Sequence, residues 1–160
     1  MSAKLKWLLG MLLLSLAVDQ GTKAAARAWL RDRPPVVVVR GFVELRYAEN
    51  LGMAFSAPGD AGPSRAILVL ASAAILVALL FAAWRADGED RRLGAAIGLL
   101  VAGGLGNLID RAAAGRVVDF ILLRAGDHAW PTFNVADASL VLGVAALALV
   151  RAPKPKLDKV

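Results

Sequence analysis

Long runs of apolar residues without a charge are the feature that most limits how this chain can fold. Residues 66–84 are 19 consecutive uncharged residues, residues 93–109 are 17 more, and Asp137 carries the one charge between residues 129 and 150. A helix of about 20 apolar residues is long enough to cross the hydrocarbon core of a bilayer. The three runs therefore predict three membrane-spanning helices.

A fourth apolar segment lies near the amino terminus, from residue 7 to about residue 29. It opens with 12 uncharged residues and then carries Asp19, Lys23 and Arg27. Two lysines before an apolar stretch are also typical of a cleavable secretory signal. We favour a retained helix because three further spans follow, and because Asp19 and Lys23, four residues apart, can share one helix face away from lipid. The predicted fold is a mainly α membrane protein, a four-transmembrane-helix bundle.

The composition excludes several other classes of protein. Hydrophobic residues make up 58% of the 160 residues, which excludes a disordered chain. With no Cys and one His, the sequence offers neither a disulfide framework nor a zinc site built on these residues, and we expect no metal and no cofactor. The net charge of +6 and the pI near 10.3 would suit a nucleic-acid-binding protein. However, the basic residues border apolar runs, as they do beside membrane spans, so we expect no nucleic-acid partner.

The distribution of basic residues predicts the orientation of the bundle. Four spans put both termini on the same side of the membrane. The termini and the 85–92 loop hold 9 of the 19 Lys and Arg residues within about 24 residues, whereas the other connections hold 10 within about 70. Dense positive charge beside spans is typical of the cytoplasmic side, so both termini are expected there. We expect a single domain over residues 1–152 and a disordered cytoplasmic tail at 153–160.

Between the first and second spans the pattern changes to that of β-strands. Residues 36–39 are four valines, Gly41 offers a turn, and apolar residues alternate with charged ones from Val43 to Tyr47. We expect a small extracytoplasmic β-element at about residues 34–58.

The third predicted span carries small residues at every fourth position, namely Gly94, Gly98, Ala102 and Gly106. Such a stripe predicts close helix packing. A neighbouring stripe, Gly103, Asn107 and Arg111, differs because it ends in an amide and a guanidinium. Asn107 fits an interhelical hydrogen bond as well as it fits a functional site.

Two carboxylates lie at or near predicted membrane depth, where a charged group is costly. Asp119 is flanked by apolar residues, and Asp137 lies near the start of the fourth predicted span, three residues after Asn134. If the third and fourth spans pack together, both carboxylates reach the same membrane boundary. Such a pair holds one proton between its members and can activate water without a metal. From these residues alone, an aspartic hydrolase and a proton-coupled carrier are both open.

Five motifs resemble those of the bacterial lipoprotein signal peptidase (signal peptidase II) family. In chain order they are DQGTK at 19–23, NLGMAF at 50–55, GGLGNLIDR at 103–111, VVDF at 117–120 and FNVAD at 133–137. Each is short, but together they follow the order of the family across most of the chain.

The resemblance implies an intramembrane aspartic endopeptidase. It would cleave the signal peptide from diacylglyceryl-modified prolipoproteins, just before the lipidated Cys of the substrate, in the bacterial cytoplasmic (inner) membrane. It also implies membrane lipids as partners, and we expect a monomer. By this resemblance Asp119 and Asp137 are the catalytic pair, and eight residues position the substrate: Asp19, Lys23, Asn50, Gly52, Asn107, Arg111, Asn134 and Ala136.

Overall fold

A computed structural model describes residues 1–51, 65–85 and 90–151, and within them the chain is mostly helical with a small sheet. The helices are α1 (Ala3–Trp29), α2 (Arg65–Arg85), α3 (Arg91–Ala114) and α4 (Val135–Arg151), and the strands are β1 (Val36–Val39), β2 (Val43–Asn50), β3 (Val117–Ala125) and β4 (His128–Ala129). The mainly α architecture and the small β-element are thereby confirmed. Gly52, the rest of the β-element expected up to residue 58, and the tail expected at 153–160 lie outside the described residues.

Helix α3 lies at the centre of the bundle and contacts each of the other three helices. Its first half approaches α1 so closely that a Cβ added to Gly98 would lie 2.5 Å from the carbonyl oxygen of Leu8. Gly94 meets the backbone of Lys4 in the same way, and Ala102 is buried. The stripe of small residues therefore lets two helix backbones pack side by side, as the sequence predicts.

The other sides of α3 pack against α4 and α2. A Cβ on Gly103 would lie 2.8 Å from Leu140 of α4, and one on Gly104 would lie 2.7 Å from Leu76 of α2. Within the described residues, α3 is the one helix that α2 contacts. Glycines thus bring three neighbours close to one central helix.

The outward faces of the surrounding helices are apolar. Leu13 of α1, Leu70 of α2 and Val141 of α4 are 65%, 68% and 69% exposed, and similar side chains lie above and below them. An apolar surface of this extent is typical of contact with lipid rather than water. By length and hydropathy, one helix in the described part of the chain, Arg91–Ala114, meets the requirement for crossing a bilayer, and shorter apolar segments occupy Val69–Phe81 and Val135–Val150.

The antiparallel sheet has the strand order β1-β2-β3-β4 and lies at one end of the bundle, because its strands follow α1 and α3. The pair β1–β2 turns at Gly41, as the sequence predicts. Strand β3 was not predicted. Its first four residues, 117–120, are all buried, so the apolar–polar alternation that identifies a half-exposed strand is missing there.

A left-handed glycine brings β3 back toward the helices. Gly115 has φ +72° and donates its N–H to the Arg111 carbonyl oxygen at 3.0 Å, which ends α3. The chain then reverses, and β3 pairs with β2 so that Asp119 lies opposite Ala48. Asp119 is thereby placed beside the end of α3.

Helix α4 begins at Val135, although the apolar stretch from residue 129 to residue 150 made a longer helix possible. Before it, Phe133 exchanges backbone hydrogen bonds with Ile121 of β3 at 2.9 and 3.0 Å. Asn134 and Asp137 then form a reciprocal cap, in which each side chain accepts the backbone N–H of the other residue. This cap fixes the start of α4 and the direction of both side chains.

Candidate active site

One buried asparagine joins the two candidate catalytic carboxylates. Asn134 Nδ2 donates to Asp119 Oδ1 at 2.7 Å, while Asn134 Oδ1 accepts the backbone N–H of Asp137 at 3.0 Å. In return, Asp137 Oδ2 accepts the backbone N–H of Asn134 at 3.2 Å. Because Asn134 has 0% exposure, this link is shielded from solvent. The structure thus brings together two carboxylates that are 18 positions apart in the sequence.

The second oxygen of Asp137 is held by Asn107 of α3. Asn107 Nδ2 donates to Asp137 Oδ1 at 2.8 Å, and Asn107 Oδ1 accepts from Lys23 Nζ at 3.0 Å. Both oxygens of the Asp137 carboxylate therefore accept an N–H, which holds the group in one orientation. Asn107 therefore joins α3 to α1 and α4 by interhelical hydrogen bonds, and its role in a functional site stays a prediction.

Asp119 lies on β3, outside the four helices, and is 2% exposed. Asn50 Nδ2 donates to its Oδ2 at 3.0 Å from the adjacent strand. Burial raises the pKa of the Asp119 carboxyl above its ordinary value, and repulsion from Asp137 acts in the same direction. The hydrogen bonds from Asn50 and Asn134 oppose this rise in the pKa.

Behind the pair lies a group of four charged side chains, which we call the charge cluster: Asp19, Lys23 and Asp110, which are buried, and Arg27, which is 38% exposed. Lys23 Nζ lies 2.9 Å from Asp19 Oδ2 and 3.2 Å from Asp110 Oδ2, and Arg27 Nη2 lies 2.7 Å from Asp110 Oδ1. Two cations face two anions, so the cluster is neutral as a whole. Charges at this depth are tolerated because each has a partner of opposite sign.

The charge cluster also holds the backbone next to each candidate carboxylate. Asp19 Oδ1 accepts the N–H of Ala136, the residue before Asp137, at 2.8 Å. Asp110 Oδ2 accepts the N–H of Val118, the residue before Asp119, at 3.3 Å. The two anions of the charge cluster therefore hold the backbone at the residues that immediately precede Asp119 and Asp137.

Cavities of different polarity open on either side of the pair. Asp119 faces a cavity of about 350 Å³, whose other lining residues are Ala48, Glu49, Asn50, Leu51, Pro131 and Thr132. Asp137 borders a groove of about 540 Å³ that is lined otherwise by Leu123, Trp130, Phe133, Ala138, Val141 and Leu142. Asp137, Asn107 and Arg111 also line a cleft of about 240 Å³ between α2, α3 and α4. The pair thus lies between a cavity at the sheet that is lined by polar and apolar residues alike and clefts along the helices that are mainly apolar.

Glu49 lines the same cavity as Asp119, but its pKa is shifted in the opposite direction. The Tyr47 hydroxyl donates to it at 2.7 Å, and Arg116 Nη1 lies 2.8 Å away. The hydrogen bond from Tyr47, together with Arg116 and Arg31, holds the pKa of Glu49 below its ordinary value. Glu49 is therefore an anion at neutral pH, whereas burial favours the protonated form of Asp119.

Most of the residues predicted for the site lie in one connected network. Asn50 touches Asp119, Arg111 lies in the cleft beside Asp137, and Gly52 is outside the described residues. The remaining predicted positioning residues are at most 6% exposed and reach the pair from the protein interior: Asp19, Lys23, Asn107, Asn134 and Ala136. Their expected contact with substrate stays a prediction.

Two members of the network were missed by the sequence analysis. Neither Asp110 nor Arg27 was singled out as a site residue. Helical spacing could have pointed to both residues, because Arg27 is four residues after Lys23 and Asp110 is three residues after Asn107. Each shares a helix face with a residue already suspected of a role.

The family profile of signal peptidase (SPase) II matches residues 11–152, which include all five sequence motifs. The chain belongs to the signal peptidase II family. It is 40% identical over 143 residues to the lipoprotein signal peptidase of Xylella fastidiosa (strain 9a5c), covering 87% of this chain and 86% of that relative. It is 38% identical to the lipoprotein signal peptidase of Chlorobium luteolum, with 84% of each chain covered.

The fold is similar to that of a solved bacterial membrane enzyme. The TM-score is 0.80 at 28% identity, and the match covers 95% of this chain and 94% of the other. A second solved bacterial membrane enzyme gives a TM-score of 0.78 at 29% identity, with 96% and 93% coverage. As a signal peptidase II family member the chain is a peptidase, and its structural neighbours and apolar outer surface indicate an integral membrane protein.

Proposed function

We propose that the chain is an aspartic endopeptidase that uses Asp119 and Asp137 to remove the signal peptide from diacylglyceryl-modified prolipoproteins. The observation that carries this proposal is the Asn134 side chain, which is hydrogen-bonded to the Asp119 carboxylate and to the backbone N–H of Asp137. Paired carboxylates that differ in their surroundings can act as general acid and general base in one step. The relatives named lipoprotein signal peptidase support the choice of substrate class.

In the proposed mechanism the pair shares one proton, and burial, which raises the pKa of Asp119, favours that proton on Asp119. Ionised Asp137 takes a proton from a water molecule, whose oxygen attacks the scissile carbonyl carbon. Asp119 gives its proton to the carbonyl oxygen. Asp137 then protonates the leaving nitrogen as the C–N bond breaks, and Asp119 regains its proton as the carbonyl reforms. The pair titrates as a unit, so the two groups have joint protonation states.

The cavities fit a substrate with an apolar part and a polar part. The groove and cleft beside Asp137 offer apolar walls to a signal helix and to lipid chains. The cavity beside Asp119 has a more polar lining than the groove or the cleft and offers Glu49, Asn50 and Thr132 to the chain that follows the lipidated Cys. A scissile bond just before that Cys would lie at the border between the two, where the pair is. The enzyme itself needs no Cys for this reaction.

We further propose that all four helices cross the bacterial inner membrane as a monomer surrounded by lipid. The sheet and the carboxylate pair would lie at the extracytoplasmic boundary, because β1–β2 and β3–β4 both follow helices that end on that side. Both termini would then be cytoplasmic, which agrees with the density of Lys and Arg in the terminal segments.

The test is cleavage of a lipidated precursor by the purified protein in detergent, with no ion gradient present. We expect the precursor to be shortened at the residue before the lipidated Cys, and we expect the rate to be unchanged by EDTA. The matched control is the same precursor with its Cys replaced by Ala, which cannot carry the lipid and should remain intact. An uncut lipidated precursor would contradict the proposal and favour a proton-coupled carrier, which uses intramembrane carboxylates without hydrolysis.

A further inference from the structure

Lys23 is the most deeply buried charge in the described part of the chain, with 0% exposure. The resemblance to the family implied a contact with substrate for this residue. However, its three donors already have three acceptors inside the protein: Asp19 at 2.9 Å, Asp110 at 3.2 Å and Asn107 at 3.0 Å. An ammonium has three N–H groups, so none remains for a substrate. Apart from the direct attraction between its charge and the Asp119 carboxyl, its effect on the reaction must pass through one of these neighbours.

The neighbour that touches the catalytic pair is Asn107. An amide can rotate by half a turn, which exchanges its oxygen and its nitrogen. Lys23 can donate but cannot accept, so it requires Asn107 Oδ1 on its own side and leaves Nδ2 for Asp137. If Asn107 turned round, its oxygen would face the carboxylate oxygen of Asp137, and the two acceptors would repel each other.

Asn134 cannot replace Lys23 in this task. Its Nδ2 has two hydrogens but three acceptors within reach: Asp119 Oδ1 at 2.7 Å, Asn107 Oδ1 at 3.1 Å and the Val118 carbonyl oxygen at 3.3 Å. The shortest contact takes one hydrogen, and Asn107 shares the other with a competitor. The bond from Lys23 to Asn107 has no such competitor, because Asp19 and Asp110 engage the other two hydrogens.

We propose that Lys23 is a positioning residue for the reaction: it fixes the orientation of the Asn107 amide, so that Asn107 Nδ2 holds the Asp137 carboxylate in its working direction. This inference rests on the proposed function, because it concerns how the pair is kept ready for water activation. Asp19 and Asp110 are the counter-ions that make the buried ammonium tolerable. A buried ion pair is often no more stabilising than apolar residues of the same volume, which favours a role beyond stability for this one.

The test compares kcat and KM for a lipidated precursor in variants that leave the fold charge-balanced. Asp19→Asn/Lys23→Met removes one anion and one cation together, keeps an acceptor for the N–H of Ala136, and leaves Asp110 paired with Arg27. We expect kcat to fall about 10- to 100-fold, as for the loss of a hydrogen bond to a charged group, while KM changes less than about threefold. Asn107→Ala should give a similar fall, and the triple variant should be no slower than Asn107→Ala, because both changes break one pathway.

Ser15→Ala is the matched control. It removes another buried polar contact between α1 and α4, the 2.7 Å hydrogen bond from Ser15 to Ser139, without touching the pair. We expect it to lower thermal stability and leave kcat within twofold of the wild type. This separates a positioning role from a merely structural one.

The outcomes separate this inference from the proposed function. If the wild type cleaves the precursor but Asp19→Asn/Lys23→Met has wild-type kcat, or if its effect multiplies with that of Asn107→Ala, the positioning role is wrong and the proposed function stands. If the charge-neutral variant does not fold, Asn107→Ala decides alone, since it leaves Lys23 paired with both carboxylates, and an unchanged kcat overturns the inference. A wild type that leaves the precursor intact defeats both proposals.

Discussion

The first half of α3 lets a neighbouring helix approach closely, whereas its second half places polar side chains between the helices. In the first half, Gly94 and Gly98 remove side chains so that the backbone of α1 can approach. In the second half, Asn107 and Asp110 fill the space between helices with side chains that are 6% and 3% exposed and fully engaged in hydrogen bonds or ion pairs. The first half determines how close the helices are, and the second uses that closeness to hold polar groups at fixed distances.

Gly106 marks the border between the two halves. A Cβ at this position would lie 2.5 Å from Asp19 Oδ2 and 3.2 Å from the Ala136 Cβ, so the absent side chain makes room for the charge cluster rather than for a neighbouring backbone. The comparison teaches that a single stripe of small residues can serve helix packing at one end and make room for the candidate active site at the other. It also predicts that substitutions in the first half act on folding alone, whereas those in the second half act on turnover as well.

The largest effect on folding is expected for Gly98→Leu. A bulky side chain there meets the Leu8 backbone, which cannot move away without separating α1 from α3. We expect little or no folded protein by size-exclusion chromatography in mild detergent. Gly10→Leu is the control, because a Cβ at Gly10 meets no atom within 4 Å. Equal yields for both variants, with Gly98→Leu fully active, would refute the packing role of the first half.

A smaller loss of stability is expected for Asp110→Asn. This change removes the anion that Lys23 and Arg27 share, and breaking a buried ion pair such as Lys23–Asp110 costs about 3–5 kcal/mol. We expect a lower thermal midpoint and a partial loss of cleavage. Asp90→Asn, at the exposed first end of α3, should be neutral, since Asn caps a helix as well as Asp does. A wild-type midpoint for Asp110→Asn would show that the second half does not depend on its charges.

A change in turnover without a change in folding is expected for Asn50→Ala. It removes the 3.0 Å hydrogen bond to Asp119 Oδ2 at the end of β2. We expect kcat to fall about tenfold, the equivalent of one ordinary hydrogen bond, with an unchanged thermal midpoint. Arg46→Ala, an exposed position on the same strand, should leave both quantities at their wild-type values. A lower midpoint with normal kcat would make Asn50 a structural residue instead.

The smallest effect concerns the pH dependence of stability. Because burial raises the pKa of Asp119 in the folded protein, the wild type loses stability as pH rises from the unfolded pKa through the folded one. Asp119→Asn has no such group. The thermal midpoint of the variant minus that of the wild type should therefore increase from acid to neutral pH by a few degrees. A difference that stays constant or decreases would place Asp119 in an environment that favours its charged form.

The parts that the sequence predicted well are those with a local signal. Uncharged runs predicted α2 and α3, and the spacing of Gly94 and Gly98 predicted a face of close helix packing, because helical periodicity is a property of neighbours in the chain. Strand β3 gave no such signal, since its buried residues do not alternate. The α4 start at Val135 depends on the cap between Asn134 and Asp137, which an apolar count does not register.

Within the candidate site, the sequence motifs pointed to individual residues but not to their hydrogen-bond partners. The motifs pointed to Lys23 and Asn107, but the bond between them joins residues 84 positions apart. Asp110 was missed because a carboxylate beside an arginine at a helix end is usually exposed, whereas here it is 3% exposed. Long-range pairing of this kind depends on how α1 packs against α3, and the sequence alone does not give that packing.

The central claim is that Asp119 and Asp137 act as one catalytic unit, and cleavage kinetics of three variants test it most directly. Asp119→Asn and Asp137→Asn should each lower kcat by at least about a thousandfold while the lipidated precursor still binds, and the double variant should be scarcely slower than either single one. Asp127→Asn, in the exposed turn between β3 and β4, makes the same chemical change and should cleave at the wild-type rate. If either single variant of the pair keeps kcat within tenfold of the wild type, the two carboxylates do not share the chemistry and the account is contradicted.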